Sequence, residues 1–270
     1  MHYNIRGGGF VHCSYKSNSY SMEYSVSRIE SSVLWESHCH AEYEMIAVLK
    51  GDISIVLEGR AFRLTEGQTA IVPPLCYHTV KSNKNGEYRR VTALFDLEAL
   101  PEVLRAGFVG KGEKIAIFYF SETELLAKIC MSGERAYFEP LLNSLMVRIF
   151  YAAAESARID YINEEDEFLN KIISYIDAHL GEKILLDDLA AHTARSKSSV
   201  CHLFTEKMNI SPKQYILEKK LAAAMRLIRG GMPAALAAQQ VGYENYSNFY
   251  RVYKDRFKTS PKDKSEAFGG

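Results

Sequence analysis

The 270-residue chain is poor in the features that would place it outside ordinary globular proteins. Its five cysteines (Cys13, Cys39, Cys76, Cys130, Cys201) are odd in number and scattered. No spacing among them matches a zinc knuckle or a disulfide framework, so reduced thiols are expected. No stretch approaches the ~18 apolar residues of a membrane span. Residues 1–9 carry no apolar run behind their charge, so no signal peptide is expected. Low-complexity segments are absent. These absences predict a soluble, cytoplasmic protein.

Net charge is missing too, with 33 Lys+Arg against 33 Asp+Glu, but the balance is uneven along the chain. Residues 1–170 hold 17 basic and 23 acidic side chains, a net of −6, whereas residues 171–270 hold 16 and 10, a net of +6. A basic half suits a polyanion and an acidic half does not.

Residues 25–95 read as β. Short apolar runs (Ile46–Leu49, Ile53–Leu57, Ala61–Leu64, Ala70–Val72) alternate with turn signals at Lys50-Gly51-Asp52, Glu58-Gly59-Arg60 and Glu66-Gly67-Gln68. This spacing predicts a sandwich or barrel, with residues 115–120 as a late strand. Helical periodicity follows from Glu122 to about Ala157. Leu141, Leu142, Leu145, Met146, Ile149, Phe150 and Ala153 share one face there, and Pro140 is expected in the first turn. That helix either caps the β unit or also packs on its twin in a homodimer. Residues 160–166 are polar and acidic and read as a linker. The expected units are therefore 1–120, 121–166 and 167–270.

The last third carries an imperfect repeat. The segment His202-Leu203-Phe204-Thr205-Glu206-Lys207-Met208-Asn209-Ile210-Ser211-Pro212-Lys213 recurs 49 residues later as Arg251-Val252-Tyr253-Lys254-Asp255-Arg256-Phe257-Lys258-Thr259-Ser260-Pro261-Lys262. Each copy is an amphipathic helix that follows a shorter one, residues 187–193 and 234–241. Two such pairs predict two helix-turn-helix units and point to double-stranded DNA. In the first basic helix Val200, Leu203 and Phe204 form the apolar stripe. In the second, Phe249, Val252, Tyr253 and Phe257 do.

On these segments residues 168–262 resemble the AraC/XylS-type transcriptional regulators. Residues 172–180 match the family's first helix and residues 185–191 open the first motif. Residues 211–216 and 221–228 match the connecting helix, and Val241-Gly242-Tyr243 with residues 247–254 matches the second motif. The resemblance implies that Ser198, Cys201 and His202 read bases from one helix, and Tyr246, Ser247, Tyr250 and Arg251 from the other. Arg251 stands out because a guanidinium can pair bidentately with guanine. Lys197, Lys207, Lys254 and Lys258 suit phosphates. The chain departs from the pattern at Ala194, where Gly or Asn is usual before the first reading helix, at Ala234 and Ala237, and at Lys264 in place of a closing tyrosine. The resemblance implies a homodimer on DNA and admits RNA polymerase as a further partner.

In the N-terminal half, His38-Cys39-His40, Glu44 and Gly51, followed by Gly67, Pro73 and His78, resemble the two cupin motifs. Leu75 and Ser32 stand where glycines are usual. The resemblance implies a sensor barrel, so the predicted class is mixed: a cupin-like β-barrel followed by an all-α DNA-binding domain. Along a strand, His38 and His40 share a face and Cys39 takes the other. His38, His40, Glu44 and His78 could hold a divalent metal, or could hydrogen-bond an organic effector directly. Trp35, Tyr43 and Tyr77, close in sequence, could stack on a sugar or aromatic effector or belong to the core. No cofactor is required on this reading. The main expectation is a non-enzymatic regulator that senses a small molecule. The alternative is a metal-dependent cupin enzyme, or a metal sensor, with an appended DNA-binding module.

Overall fold

The computed structural model describes residues 11–16, 20–30, 34–96, 102, 105, 114–132, 135–156, 158–159 and 166–261. The linker residues 160–165, Ser32 and Lys264 lie outside the described residues.

Among the described residues there are ten strands, nine of them before Thr123 and the last after two helices. They are β1 (Val11–Lys16), β2 (Tyr20–Ile29), β3 (Tyr43–Lys50), β4 (Asp52–Leu57), β5 (Arg60–Thr65), β6 (Gln68–Val72), β7 (His78–Ser82), β8 (Gly86–Phe95), β9 (Ile115–Tyr119) and the short β10 (Arg158–Ile159). Seven of them form one sheet in the order β1-β2-β8-β3-β6-β9-β10, and β5-β4-β7 form a second. The mixed class expected from the sequence holds, with one correction: among the described residues the strands make two separate sheets rather than one closed barrel. The β region also starts earlier than residue 25.

Strand alternation sorts the side chains into two layers. Ile46, Val48, Ile53, Ile55, Leu57, Phe62, Leu64, Ala70 and Val72 fill the space between the sheets. On the other face of the large sheet, Met45, Ala47, Ile71, Val91, Ala93 and Phe95 meet helices α1 (Thr123–Ser132) and α2 (Arg135–Glu155). The stripe of α2 expected from its periodicity, Leu142, Leu145, Met146, Ile149, Phe150 and Ala153, is buried here, while Leu141 is exposed. Pro140 lies inside α2 rather than in its first turn, because the helix already begins at Arg135.

The C-terminal part is helical: α3 (Glu167–Ala178), α4 (Leu186–Thr193), α5 (Lys197–Met208), α6 (Pro212–Arg229), α7 (Ala234–Gln240) and α8 (Tyr246–Phe257). The 49-residue repeat is visible in the backbone. Ser196 and Asn245 cap the N-termini of α5 and α8 with side-chain oxygens, and Asn209 and Lys258 end them in the left-handed region. Each pair is 49 residues apart. The first Ser-Pro supplies the Ser211 cap and the first-turn Pro212 of α6. Helix α6 then joins two cores. Tyr215 and Ala222 pack with α3, α4 and α5, while Leu221, Ala224 and Ile228 pack with Ala237, Ala238, Val241, Phe249 and Tyr253.

Ala194, the residue that departs from the family pattern, ends α4 at φ 52° and ψ 41°. A Cβ in that conformation costs roughly 1–2 kcal/mol. Ala194→Gly is expected to stabilise the helical part by about 1 kcal/mol, read as a higher urea midpoint by far-ultraviolet circular dichroism. A lower midpoint would contradict the strain.

Candidate functional site

The cupin-like residues converge. An isolated antiparallel bridge joins His38 and His78, each N–H donating to the other's carbonyl at 2.9 Å. Glu44, on β3, reaches into the same place. Its Oε2 lies 2.7 Å from His78 Nε2, 3.3 Å from His40 Nε2 and 3.8 Å from His38 Nε2. The ligand-capable atoms of all four residues lie within 4.8 Å of one another.

Each imidazole is oriented from behind. The Nδ1–H of His38 donates to the Glu36 carbonyl at 3.1 Å, that of His40 to the Glu42 carbonyl at 2.9 Å, and that of His78 to the Cys76 carbonyl at 2.9 Å. A carbonyl can only accept, so in the neutral rings every Nε2 is left as a lone pair. Three lone pairs then face one carboxylate oxygen, an arrangement of acceptors against acceptors that calls for a proton or a cation between them. Backbone carbonyls fixing the far nitrogen are also the usual support of metal-bound histidine. The four residues therefore fit a divalent cation.

The charges agree. Burial, together with the nearby His78, pushes His38 down to about 4. Burial alone would lower His40 too, but the Glu44 and Glu42 carboxylates outweigh it and hold it above its ordinary value. Glu44, despite burial, is held well below the carboxylate range by the three histidines. It is an anion surrounded by bases.

The three aromatic candidates separate. Trp35 sits between the sheets, 7% exposed. Tyr43 stacks on Phe95 at 5.7 Å in the layer facing the helices, on the far side of β3 from Glu44. Tyr77 points into the C-terminal helices, its ring 5.7 Å from that of Tyr215. Tyr43 and Tyr77 are immediate neighbours of Glu44 and His78, and alternation sends neighbours to opposite faces. Neither can line the centre.

That alternation also builds a joint between the two halves, which sequence reasoning missed. Cys39 and Tyr77, on the back of the histidine ladder, are buried in one cluster with Leu169, Ile172, Phe204, Met208, Tyr215 and Ala222. The two-residue turn Glu58-Gly59 enters the same cluster. Glu58 is 3% exposed at φ 47°, and accepts hydrogen bonds from Tyr77 N at 2.8 Å and Tyr215 Oη at 2.8 Å. Lys219 Nζ lies 3.5 Å from Glu58 and 2.7 Å from Asp177. At the other end of α6, Arg229 pairs with Glu42, whose carbonyl orients His40. Tyr215, Lys219, Ala222 and Arg229 recur at helical spacing, so one stripe of α6 faces the sheets. Leu75 packs against this cluster at φ 62°. Both positions held a signal in the sequence: Glu58 fills the first place of a turn that favours Asn or Gly, and Leu75 replaces a cupin glycine.

The reading helices present their expected faces, with qualifications. Lys197, Ser198, His202, Ser247, Arg251 and Lys254 are exposed, while Cys201 and Tyr250 are half-buried. Tyr246 departs from the outward expectation: it packs on the second helical core, with its hydroxyl buried.

Comparison with known proteins decides the family. The profile of the AraC-like ligand binding domain matches residues 23–162, and that of a helix-turn-helix domain matches residues 189–266. This chain belongs to the AraC family of transcriptional regulators. Relatives include the HTH-type transcriptional regulator YdiP of Escherichia coli, 23% identical over 87% of this chain and 82% of that protein. YobQ of Bacillus subtilis is 24% identical over 82% and 84%. The arabinose operon regulatory protein of Escherichia coli is 26% identical over 48% and 46%. ToxT of Vibrio cholerae superposes over 92% of this chain and 97% of its own with a TM-score of 0.44 and 11% identity.

An AraC-family regulator has to connect its ligand-binding part to its DNA-binding part, and the Glu58 turn does so physically here. Removing one partner of a buried charged group leaves the other poorly compensated, although Asp177 would still hold Lys219. Glu58→Gln is therefore expected to speed amide exchange about 10-fold or more around Tyr215 and Lys219 of the full-length regulator. Unchanged exchange in α6 would show that the turn bears no part of the joint.

Proposed function

We propose that the regulator is a one-component sensor whose N-terminal half holds a divalent cation on His38, His40, Glu44 and His78. The observation that carries this is the convergence of three carbonyl-oriented imidazoles on one buried carboxylate oxygen. A bound cation would supply the positive charge that this set of acceptors requires, and could offer an open position to an effector. The same residues suit a sensor better than an enzyme, because the back of the ligand ladder is committed to holding the DNA-binding half. Filling the centre would alter the ladder, and the ladder touches Tyr215 through Tyr77, and Arg229 through Glu42. An effector regulates only if it favours one arrangement of the two halves over another.

The DNA partner would be read by α5 and α8 in successive major-groove segments, with Ser198, Cys201, His202, Ser247, Tyr250 and Arg251 at base edges. Arg251 is the main specificity contact on this reading. It is exposed and its guanidinium is held toward Asn248 Oδ1 at 3.2 Å. Lys197 and Lys207 are paired with Asp187 and Asp166, and Lys254 lies over the Tyr250 ring. Exposed pairs of this kind are weak and exchange readily for phosphate. The protein would act as a homodimer through α2, where Leu141, Val147 and Tyr151 recur on the outer face at 41%, 40% and 63% exposure. Sedimentation equilibrium showing only monomers would remove that part. Among the described residues no helix is long and apolar enough to cross a membrane, which is consistent with the cytoplasmic site of action expected of such a regulator.

The deciding experiment is metal analysis of protein purified without chelators or a metal-affinity tag. Near one zinc, iron, manganese or nickel per chain is expected, and loss of it in His40→Ala. A metal-free wild type that also fails to take up added zinc would sink the metal reading. Arg251→Ala is expected to weaken operator binding by about 1–3 kcal/mol and to relax specificity at one position. Equal affinity in a gel-shift titration would discard the contact.

A further inference from the structure

We propose that the space between the two sheets recognises a small organic carboxylate, held by Arg90 and Trp35 beside the three-histidine centre. The inference rests on this half being the ligand-binding part, and does not require that a metal be present.

Arg90 occupies the middle of the large sheet. It pairs across to Ser25 on β2 and Val48 on β3, and its side chain turns into the inter-sheet space together with Tyr88. It is only 8% exposed. Its Nε donates to Ser25 Oγ at 3.2 Å, and its guanidinium carbon lies 5.5 Å from the Trp35 ring and 5.6 Å from the Tyr88 ring. Among the described residues no carboxylate lies within ion-pair distance of it. A buried guanidinium is costly unless paired, and a fold that needed only packing here would do better with an apolar side chain. Trp35 repeats the pattern: its Nε1–H is buried with no acceptor. Arg90 on the large sheet and Trp35, whose backbone N–H donates to the Val80 carbonyl of β7 in the small sheet, thus face each other across the inter-sheet space, both more than nine-tenths buried. The Trp35 indole donor and the Arg90 nitrogens beyond Nε are left for a ligand.

The donor set selects the ligand. A guanidinium fork matches the two coplanar oxygens of a carboxylate, and the flanking aromatic faces suit a flat or apolar body. Glu23 and Glu44 are near enough for Arg90 to feel their charge. Their presence disfavours a dianion such as phosphate and favours a single negative charge. Glu23, Thr92 and Leu94 share the Arg90 face of β2 and β8 and are half-buried. From Arg90 that face runs through Thr92 to Leu94, which is the register partner of Glu44. A molecule anchored by its carboxylate on Arg90 would extend toward the histidines.

Trp35 is the only tryptophan of the chain, so tryptophan fluorescence, excited selectively over the 17 tyrosines, reports on the surroundings of Arg90. Full-length protein would be titrated with acetate, pyruvate, succinate, benzoate and 2-oxoglutarate, alongside acetamide, benzamide and inorganic phosphate. At least one carboxylate is expected to give a saturable change at millimolar concentration or below, with its amide and phosphate at least 10-fold weaker. Arg90→Lys, which keeps the charge and loses the fork, should weaken that response at least 10-fold, and Arg90→Met should abolish it. The ligand-free Arg90→Met protein should melt no lower than wild type. Should it fail to fold, Arg90→Lys decides. No saturable carboxylate response, amides or phosphate binding equally well, or an Arg90→Lys protein that binds like wild type would overturn the proposal. Repeating the titration with EDTA separates the two readings. A response that persists in metal-free protein keeps this inference when the metal reading fails, and silence in protein carrying one metal per chain sinks this inference alone.

Discussion

The centre of this regulator and part of the joint between its two halves are built on one short antiparallel bridge, the paired backbones of His38 and His78. A strand has two faces, and here each is fully used. One face sends three imidazoles toward Glu44. The other sends Cys39 and Tyr77 into the helical half. No intervening layer separates the centre from the joint, so a shift of the ladder is felt on both sides at once. The Glu42–Arg229 pair reinforces the arrangement, because the residue that orients His40 also holds the last turn of α6.

The joint comes at a conformational cost. Glu58 and Leu75 both sit in the left-handed region where glycine is at ease, and both are in contact with the C-terminal helices. Glycine would relieve the backbone at either place. It would also remove the carboxylate that accepts from Tyr77 and Tyr215, or the side chain that packs on their cluster. Local rules are broken here for contacts that lie far away in sequence. Ala194 is different, since it lies at an exposed turn with no comparable contact.

The helical half was legible in the sequence because its signals are local. A repeat of 49 residues and apolar stripes of period 3.6 need no knowledge of the rest of the chain. The four residues of the centre were legible through motif spacing, and the opposite direction of Cys39 through strand alternation. The same alternation, applied to Tyr43 and Tyr77, would have removed them from the effector wall. What stayed hidden is non-local. Glu58 meets Tyr215 and Lys219 across more than 150 residues, and Arg229 meets Glu42 across 187. Arg90 reads as an ordinary polar residue of a β-strand until its burial is known. The separation into two sheets was likewise decided by pairing, which turn signals alone do not settle.

Helix α6 carries one more consequence. Its 18 residues span roughly 27 Å, and each end is built into the core of one reading unit. The two units are thus mounted on a single stiff strut, and their distance and rotational phase are set when the protein folds. A ligand can tilt or release the strut, but it cannot stretch it. The spacing between the two contacted segments of an operator would accordingly be a fixed property of the polypeptide, like the gauge of a rail. Signalling is left to decide whether the pair is presented to DNA, and operators whose segments fall out of phase would be rejected in every signalling state.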